Sequence, residues 1–412
     1  MSTATTAAPA PAPAPPPPAD AHSGRGSLGS TVVLTILSIV VALVIGGILI
    51  AAAAPDVQDA AGYFFARPGD LFRESFFTVR DAYAALLKGS VFDWTADTAT
   101  KQFRPLTESL VFASPLIAAG LAVALAFRAG LFNIGAEGQV LLGAAGAAYV
   151  GFAWHLPAVI HVVVAVAAAV LAGAVWGGIP GLLKARTGAH EVITTIMLNY
   201  VARFFVAYLL TTTVFLRPGR NDPISPPVDA NAELPRLLST GFRLHAGLLL
   251  ALLAAAFVWW LLDRSTIGFR FRAVGANPAA ARTAGISVGA ATFGAMAIAG
   301  GLAGLAGAFQ VLGTEKSLTG GISANVGFDA ITVALLGRGT PVGTVLAGLL
   351  FGALRAGGVT MQARTGTPID IVLVVQSIIV LLIAAPPLVR SIFRIRSAGG
   401  AGSLQLSKGW NA

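Results

Sequence analysis

The chain of 412 residues contains no cysteine. That excludes disulfides, iron–sulfur clusters and thiolate zinc sites, and leaves the redox compartment open. Charge is almost as scarce: Asp, Glu, Lys and Arg make up 11% of the residues, against about 25% in soluble chains. The five histidines, His22, His155, His161, His190 and His245, show no metal-ligand spacing. There is no Gly-x-x-x-x-Gly-Lys-Ser/Thr phosphate loop, so the chain is not itself an ATPase. No basic run is interleaved with aromatics, so no nucleic-acid partner is expected despite the net charge of +9. What is present is apolar: 56% of the residues are hydrophobic. That composition predicts an all-α polytopic membrane protein whose arginines gather at membrane edges.

Residues 1–30 form an Ala/Pro-rich tract expected to be a disordered tail. A membrane domain follows over 31–395, and 396–412 form a second tail. Ten apolar segments are expected to enter the bilayer: 31–54, 106–127, 140–154, 157–183, 192–215, 244–262, 288–312, 328–336, 341–354 and 369–388. Two are too short to cross at about 20 residues per helix, so some segments are broken or re-entrant. The first is too long for a signal peptide's apolar core and reads as an uncleaved span. Residues 55–104 mix charge with aromatics, and the amphipathic pattern of 72–87 predicts a helix on the outer face. The prolines of 216–243 predict an extended loop. Gly173/Gly177/Gly181, Gly300/Gly304 and Gly348/Gly352 have the spacing that lets helix backbones approach closely.

The loop 264–287 holds a short helix with both ends specified. Asn277 suits the N-cap, Pro278 the first helical position and Gly285 the left-handed residue past the end. Arg264, Arg270, Arg272 and Arg282 surround it, which puts it on the cytoplasmic side. A capped helix between two spans, too small for a core of its own, reads as a peg for another protein. A plain interhelical loop is the alternative.

Two polar, glycine-broken inserts interrupt the apolar pattern, 128–139 and 320–343. They fall in opposite halves of the chain, the arrangement that marks binding sites in transporters built from two related halves. Ordinary interfacial loops are the plainer reading. Asn133, Glu137, Gln139, Asn199 and Asp329 are expected to line a water-filled path, with Phe132 and Phe328 as its aromatics. Glu191, Thr195, Asn199 and Arg203 follow one another at four-residue intervals and form a polar stripe on one helix. Arg203 calls for a counter-charge, with Glu137 and Glu108 the candidates; an ion pair locking helices together is the structural alternative. An ion-coupled secondary transporter would also have broken helices and a buried charge, but no use for the capped peg.

At four places the chain resembles the permease subunits of bacterial ABC importers. These are Gly130-Leu-Phe-Asn-Ile-Gly-Ala-Glu-Gly-Gln139, Glu191-Val-Ile-Thr-Thr-Ile-Met-Leu-Asn-Tyr200, Arg272-Ala-Val-Gly-Ala-Asn-Pro-Ala-Ala-Ala-Arg-Thr-Ala-Gly-Ile286 and Gly327-Phe-Asp-Ala-Ile-Thr-Val-Ala-Leu-Leu-Gly-Arg338. The likeness covers 66–388, with the motifs in family order, and the first two are those of the nucleoside branch. Arg203 departs from the pattern, standing where an uncharged residue is expected.

The resemblance implies an ABC-importer permease fold in a bacterial plasma membrane, with both termini cytoplasmic. It implies that Arg272, Asn277, Pro278, Ala280, Arg282 and Gly285 belong to a coupling helix that docks into an ATPase subunit. That partner would use ATP and Mg, and this chain would bind no cofactor. A second homologous permease, making a heterodimer, and an extracytoplasmic binding protein, often a lipoprotein, would complete the assembly. The implied substrate path takes in Phe132, Asn133, Glu137, Gln139, Thr195, Asn199, Arg203, Phe328 and Asp329. The implied cargo is a nucleoside, with a simple-sugar or branched-chain amino-acid permease as the alternative.

Overall fold

The computed structural model describes residues 24–239, 241–385, 388 and 391. Residues 1–23 of the expected amino-terminal tail and the whole of 396–412 lie outside these. Among the described residues every regular element is helical. Seven helices are long and apolar enough to cross a membrane, and two shorter apolar ones accompany them.

Helix α1 (Gly24–Ala53) starts inside the stretch expected to be tail, because the prolines that would forbid a helix end before it. After the short α2 (Pro55–Gly62) comes α3 (Pro68–Ser90), the expected amphipathic helix. Its first half exposes Phe72 and Phe76. Its second half is docked through Ala82, Ala85, Gly89 and Ser90. Gly89 stands so close to Thr360, and Gly357 to Leu86, that neither glycine has room for a Cβ.

The centre of the molecule is α4 (Ala99–Arg128) with α11 (Val288–Ala308); 83% of each apolar span is buried, against 22% for α6 (Ala158–Thr187) and α7 (Glu191–Leu209). The expected glycine contacts make this packing possible. A Cβ on Gly173 of α6 would lie 2.3 Å from the Gly300 carbonyl of α11. On the other side of α4, Gly352 of α13 (Pro341–Thr365) packs against Ser109 and Ala113. Helix α13 runs well past residue 354, where apolar character alone would have ended it. A second core cluster joins α1, α3, α13 and α14 (Asp370–Ala384) into an outer layer.

The segment 216–243 is mostly extended, as its prolines dictate. It makes isolated bridges, Ile224 with Thr319 and Arg236 with His245, around a single 3-10 turn at Ala230–Ala232. Lys316 pairs with Glu233 at 2.7 Å and ties this layer to the end of α11. That end, Phe309–Glu315, winds as a π-helix, a form frequent at functional sites. His245 is wedged against it, leaving no room for a Cβ on Gly313.

Candidate translocation core and coupling element

The two inserts meet in the interior of the bundle. After α4 the chain turns at Gly130, where φ is +71°, and runs non-helically to Gly135 before α5 (Ala136–Ala153) begins. Asn133 and Gln139 exchange amide hydrogen bonds across this turn at 3.0 and 3.1 Å. Asn133 Oδ1 also accepts from Gly135 N at 3.0 Å. From α7, Asn199 accepts from Gly138 N and donates to the Ile134 carbonyl, both at 2.9 Å. One amide side chain thus satisfies one backbone group in the break and one in the first turn of α5.

The chain leaves the π-helix at Lys316 and runs non-helically into the second insert as far as Asn325, with Lys316, Ala324 and Asn325 all at positive φ, and 326–336 of that insert is helical. Such backbone strain in an alanine persists only where the surroundings over-determine it. Here they do. Glu137 of α5 accepts from Ser323 Oγ and, at 2.9 Å, from Gly327 N in the first turn of α12 (Val326–Leu336). A Cβ on Gly327 would lie 2.2 Å from the Glu137 backbone, so the amino-terminal ends of α5 and α12 touch directly. Two positive helix ends face each other, and the Glu137 carboxylate, carried on the first turn of α5, accepts from the α12 end.

Arg355 of α13 completes this arrangement. Nη2 donates to the Ala324 carbonyl at 2.6 Å, and Nη1 approaches Asp329 Oδ2 at 3.3 Å. Its guanidinium lies 5.9 Å from the centre of the Phe112 ring. Sequence reading missed Arg355 because it ended this apolar segment one residue earlier and left the arginine at a membrane edge. The signal available was the apolar periodicity resuming at Met361.

The expected path residues therefore divide. Asn133, Glu137, Gln139, Thr195 and Asn199 are buried, and all but Thr195 bond within the two breaks. Thr195 returns its hydroxyl to the Glu191 carbonyl at 2.7 Å, and Glu191 pairs with Lys184 at 2.5 Å. Phe132 and Phe328 are exposed, and Phe132 packs beside Phe127. Arg203 is exposed, and neither candidate counter-charge reaches it. Glu108 pairs with Arg243 at 2.7 Å, and Glu137 is held as described. The cause is helical drift: at about 100° per residue a four-residue stripe rotates by about 40° each step. The buried face of α7 holds Glu191, Ala202, Thr195, Val206 and Asn199 within about 80°, and Arg203 falls about 120° from Glu191, off its edge.

The capped helix is as its sequence dictates. Asn277 Oδ1 accepts from Ala279 N and Ala280 N, both at 3.0 Å, to start α10 (Pro278–Thr283) with proline in its first turn. Gly285 follows with φ +78°, and Ile286 N returns to the Ala281 carbonyl at 3.0 Å. Only Ala281 is buried; Pro278, Ala280 and Arg282 present an exposed face. A second helix precedes it where the sequence predicts a loop: α9 (Thr266–Ala276), capped by Ser265, whose Oγ accepts from Gly268 N at 2.9 Å. Arg272 lies on α9 and pairs at 3.7 Å with Asp263 of α8 (Gly247–Arg264), bracing the turn between them.

A helical bundle with apolar spans, two broken segments meeting inside it and a capped helix between two spans is the structure of a membrane permease. Residues 106–384 match the family described as branched-chain amino acid transport system permease components, and the chain belongs to that family of ABC-transporter permeases. A guanosine ABC transporter permease of Bacillus subtilis is 44% identical over 278 residues, covering 67% of this chain and 80% of that protein. A glucose ABC transporter permease of Haloferax volcanii is 35% identical over 357 residues, 84% of this chain and 86% of the relative. A nucleoside ABC transporter permease of Lactococcus lactis is 35% identical over 290 residues, 68% and 79% of the two chains. No solved structure matches the chain.

Proposed function

We propose that this permease carries nucleosides into the cytoplasm, driven by a separate ATPase that docks on the exposed face of α10. The observation that carries the coupling is a continuous backbone route. Helix α10 follows α9 directly, and Gly275 near the end of α9 packs against Gly130 at the entry to the first break. Movement of α10 on ATP binding by the partner shifts α9 against 129–135, and the hydrogen bonds between the α5 and α12 ends then part. The ligand need not supply the work, because nucleotide affinity in the partner differs between the two states.

The partner uses ATP with Mg, and this chain itself binds neither. A second, homologous permease and an extracytoplasmic binding protein complete the importer, with both termini of this chain in the cytoplasm. The buried amides and carboxylates and the exposed Phe132 and Phe328 supply the chemistry for a flat base and a hydroxylated sugar. The nucleoside reading is supported by the guanosine and nucleoside relatives. The glucose relative, which spans more of the chain, supports a sugar as the second reading.

Uptake of labelled guanosine, uridine, ribose, glucose and leucine is to be compared in cells carrying and lacking the gene, with vanadate and with an uncoupler. Gene-dependent, vanadate-sensitive uptake of a nucleoside is the expected result. Gene-dependent uptake of glucose, ribose or leucine with neither nucleoside would overturn the cargo assignment and keep the importer. Uptake lost to the uncoupler but not to vanadate would overturn the ATP-driven mechanism.

A further inference from the structure

The second break leaves a polar rim that the coupling route does not account for. Asn325 and Phe328 are exposed, and the side chains of Asp329 and Arg355 are each 24% exposed. Arg355 is the fifteenth residue of α13, about 15 Å along the helix from one end and about 21 Å from the other. Charges exposed so far from either end of a spanning helix face water or polar matter, because hydrocarbon strongly disfavours them.

Arg355 is itself fixed, by the Ala324 carbonyl and the Phe112 ring. Its hold on Asp329 is loose. The single approach to Oδ2 is 3.3 Å, where a charge-assisted pair closes to about 2.7–2.9 Å and often takes both oxygens. Acceptor capacity on Asp329 and donor capacity on Arg355 remain for a ligand.

Side by side, a guanidinium and a carboxylate present a donor followed by two acceptors. The Watson–Crick edge of guanine presents the complement: the O6 acceptor, then the N1 and 2-amino donors. Uracil offers acceptor, donor, acceptor, which matches two positions and opposes the third. Adenine, turned over, meets the guanidinium with N1 and one carboxylate oxygen with its amino group, and leaves the third position, its C2–H, without a partner. We propose that Asp329 and Arg355 read the base of the cargo in passage, favouring guanosine over both uridine and adenosine. This rests on the nucleoside reading above.

The test is uptake of labelled guanosine, uridine and adenosine from equimolar mixtures by cells whose native gene carries Asp329→Asn, Asp329→Glu or Arg355→Lys. The ATPase and binding protein are left unchanged, so any altered ratio belongs to the permease. Asp329→Asn is expected to cut the guanosine-to-uridine ratio about tenfold, the discrimination a bidentate base contact supplies. Asp329→Glu, which keeps both acceptors, retains the wild-type order, and Arg355→Lys narrows the preference for guanosine over adenosine. Variants that lower all three uptakes in proportion, or leave the ratios unchanged, would make the pair a structural pin and overturn the proposal. Absence of any nucleoside uptake in wild-type cells is a separate outcome; it overturns the nucleoside reading and the proposal that depends on it.

Discussion

Gly130 and Gly275 touch backbone to backbone: a Cβ built on Gly275 would lie 2.7 Å from the Arg128 carbonyl oxygen and the Gly130 nitrogen. Gly275→Val therefore forces α9 away from the first break. Uptake and the stimulation of ATP hydrolysis by cargo are expected to fall together by at least about tenfold, while the protein still reaches the membrane. Gly130→Ala adds a Cβ at φ +71° and costs about 1–2 kcal/mol of stability from conformation alone. Thermal unfolding of the purified protein and uptake by reconstituted importer check both.

The exposed face of α10 gives a cleaner separation of docking from folding. Arg282 and Ala280 are exposed, whereas Ala281 between them is buried. Arg282→Glu or Ala280→Trp should abolish co-purification of the ATPase and stop uptake, with thermal stability changed by no more than about 0.5 kcal/mol. Wild-type uptake with both changes would remove α10 from the coupling route.

Glu137 holds the two broken helices together. Glu137→Ala strips the Gly327 amide and the Ser323 hydroxyl of their acceptor, at a cost of about 1–3 kcal/mol for each buried group left unpaired. Glu137→Gln keeps one acceptor oxygen and should lose less. Unfolding midpoints of the two variants in detergent should fall in that order, and Asp329→Ala, at a more accessible position, should fall least.

The absence of cysteine makes accessibility directly measurable. Asp329→Cys is expected to react with a small hydrophilic thiol reagent in the resting protein. Asn133→Cys, Glu137→Cys, Gln139→Cys and Asn199→Cys, at buried positions, are expected to react only during turnover with ATP and cargo. Inertness of all five throughout the cycle would take them out of the path.

His245 gives the extended layer at the start of α8 a pH dependence. Its ring is buried beside Lys316 and Arg243, and burial first, then those two cations, hold its pKa down to about 4 from 6.5. Neutral Nδ1 accepts from Gly247 N at 3.1 Å and caps α8. Well above pH 6.5 the ring is neutral in folded and unfolded chains alike, and it imposes no pH dependence. As pH falls from 6.5 towards 4 the unfolded chain takes up a proton that the folded chain refuses. Stability is then lost, by up to about 3 kcal/mol. His245→Asn, retaining an acceptor, should flatten the melting temperature between pH 7 and 4.5 relative to wild type.

The capped helix was legible residue by residue because all of its determinants are local. The positions of the two breaks were legible for a similar reason, since apolar periodicity fails there. Their meeting was not, because the pairing of Glu137 with Gly327 spans 190 residues and no local pattern encodes it. Arg203 and Arg355 escape the local pattern in opposite directions. A four-residue spacing hides the rotation that carries Arg203 off the buried face, and an apolar run that pauses at a charge hides the helix that continues beyond Arg355. Helix α9 was passed over because its arginines read as loop, whereas the Ser265 cap and Phe271 and Val274 on its buried side hold it in place.

The amino-terminal ends of α5 and α12 are fastened to each other by directional bonds to one carboxylate. Hydrogen bonds weaken steeply once the donor and acceptor move beyond about 3.2 Å or out of line, whereas close-packed apolar side chains resist separation over their whole length. A catch of this kind releases within a fraction of an ångström. On the proposed coupling route, the displacement required of the six-residue α10 is therefore small.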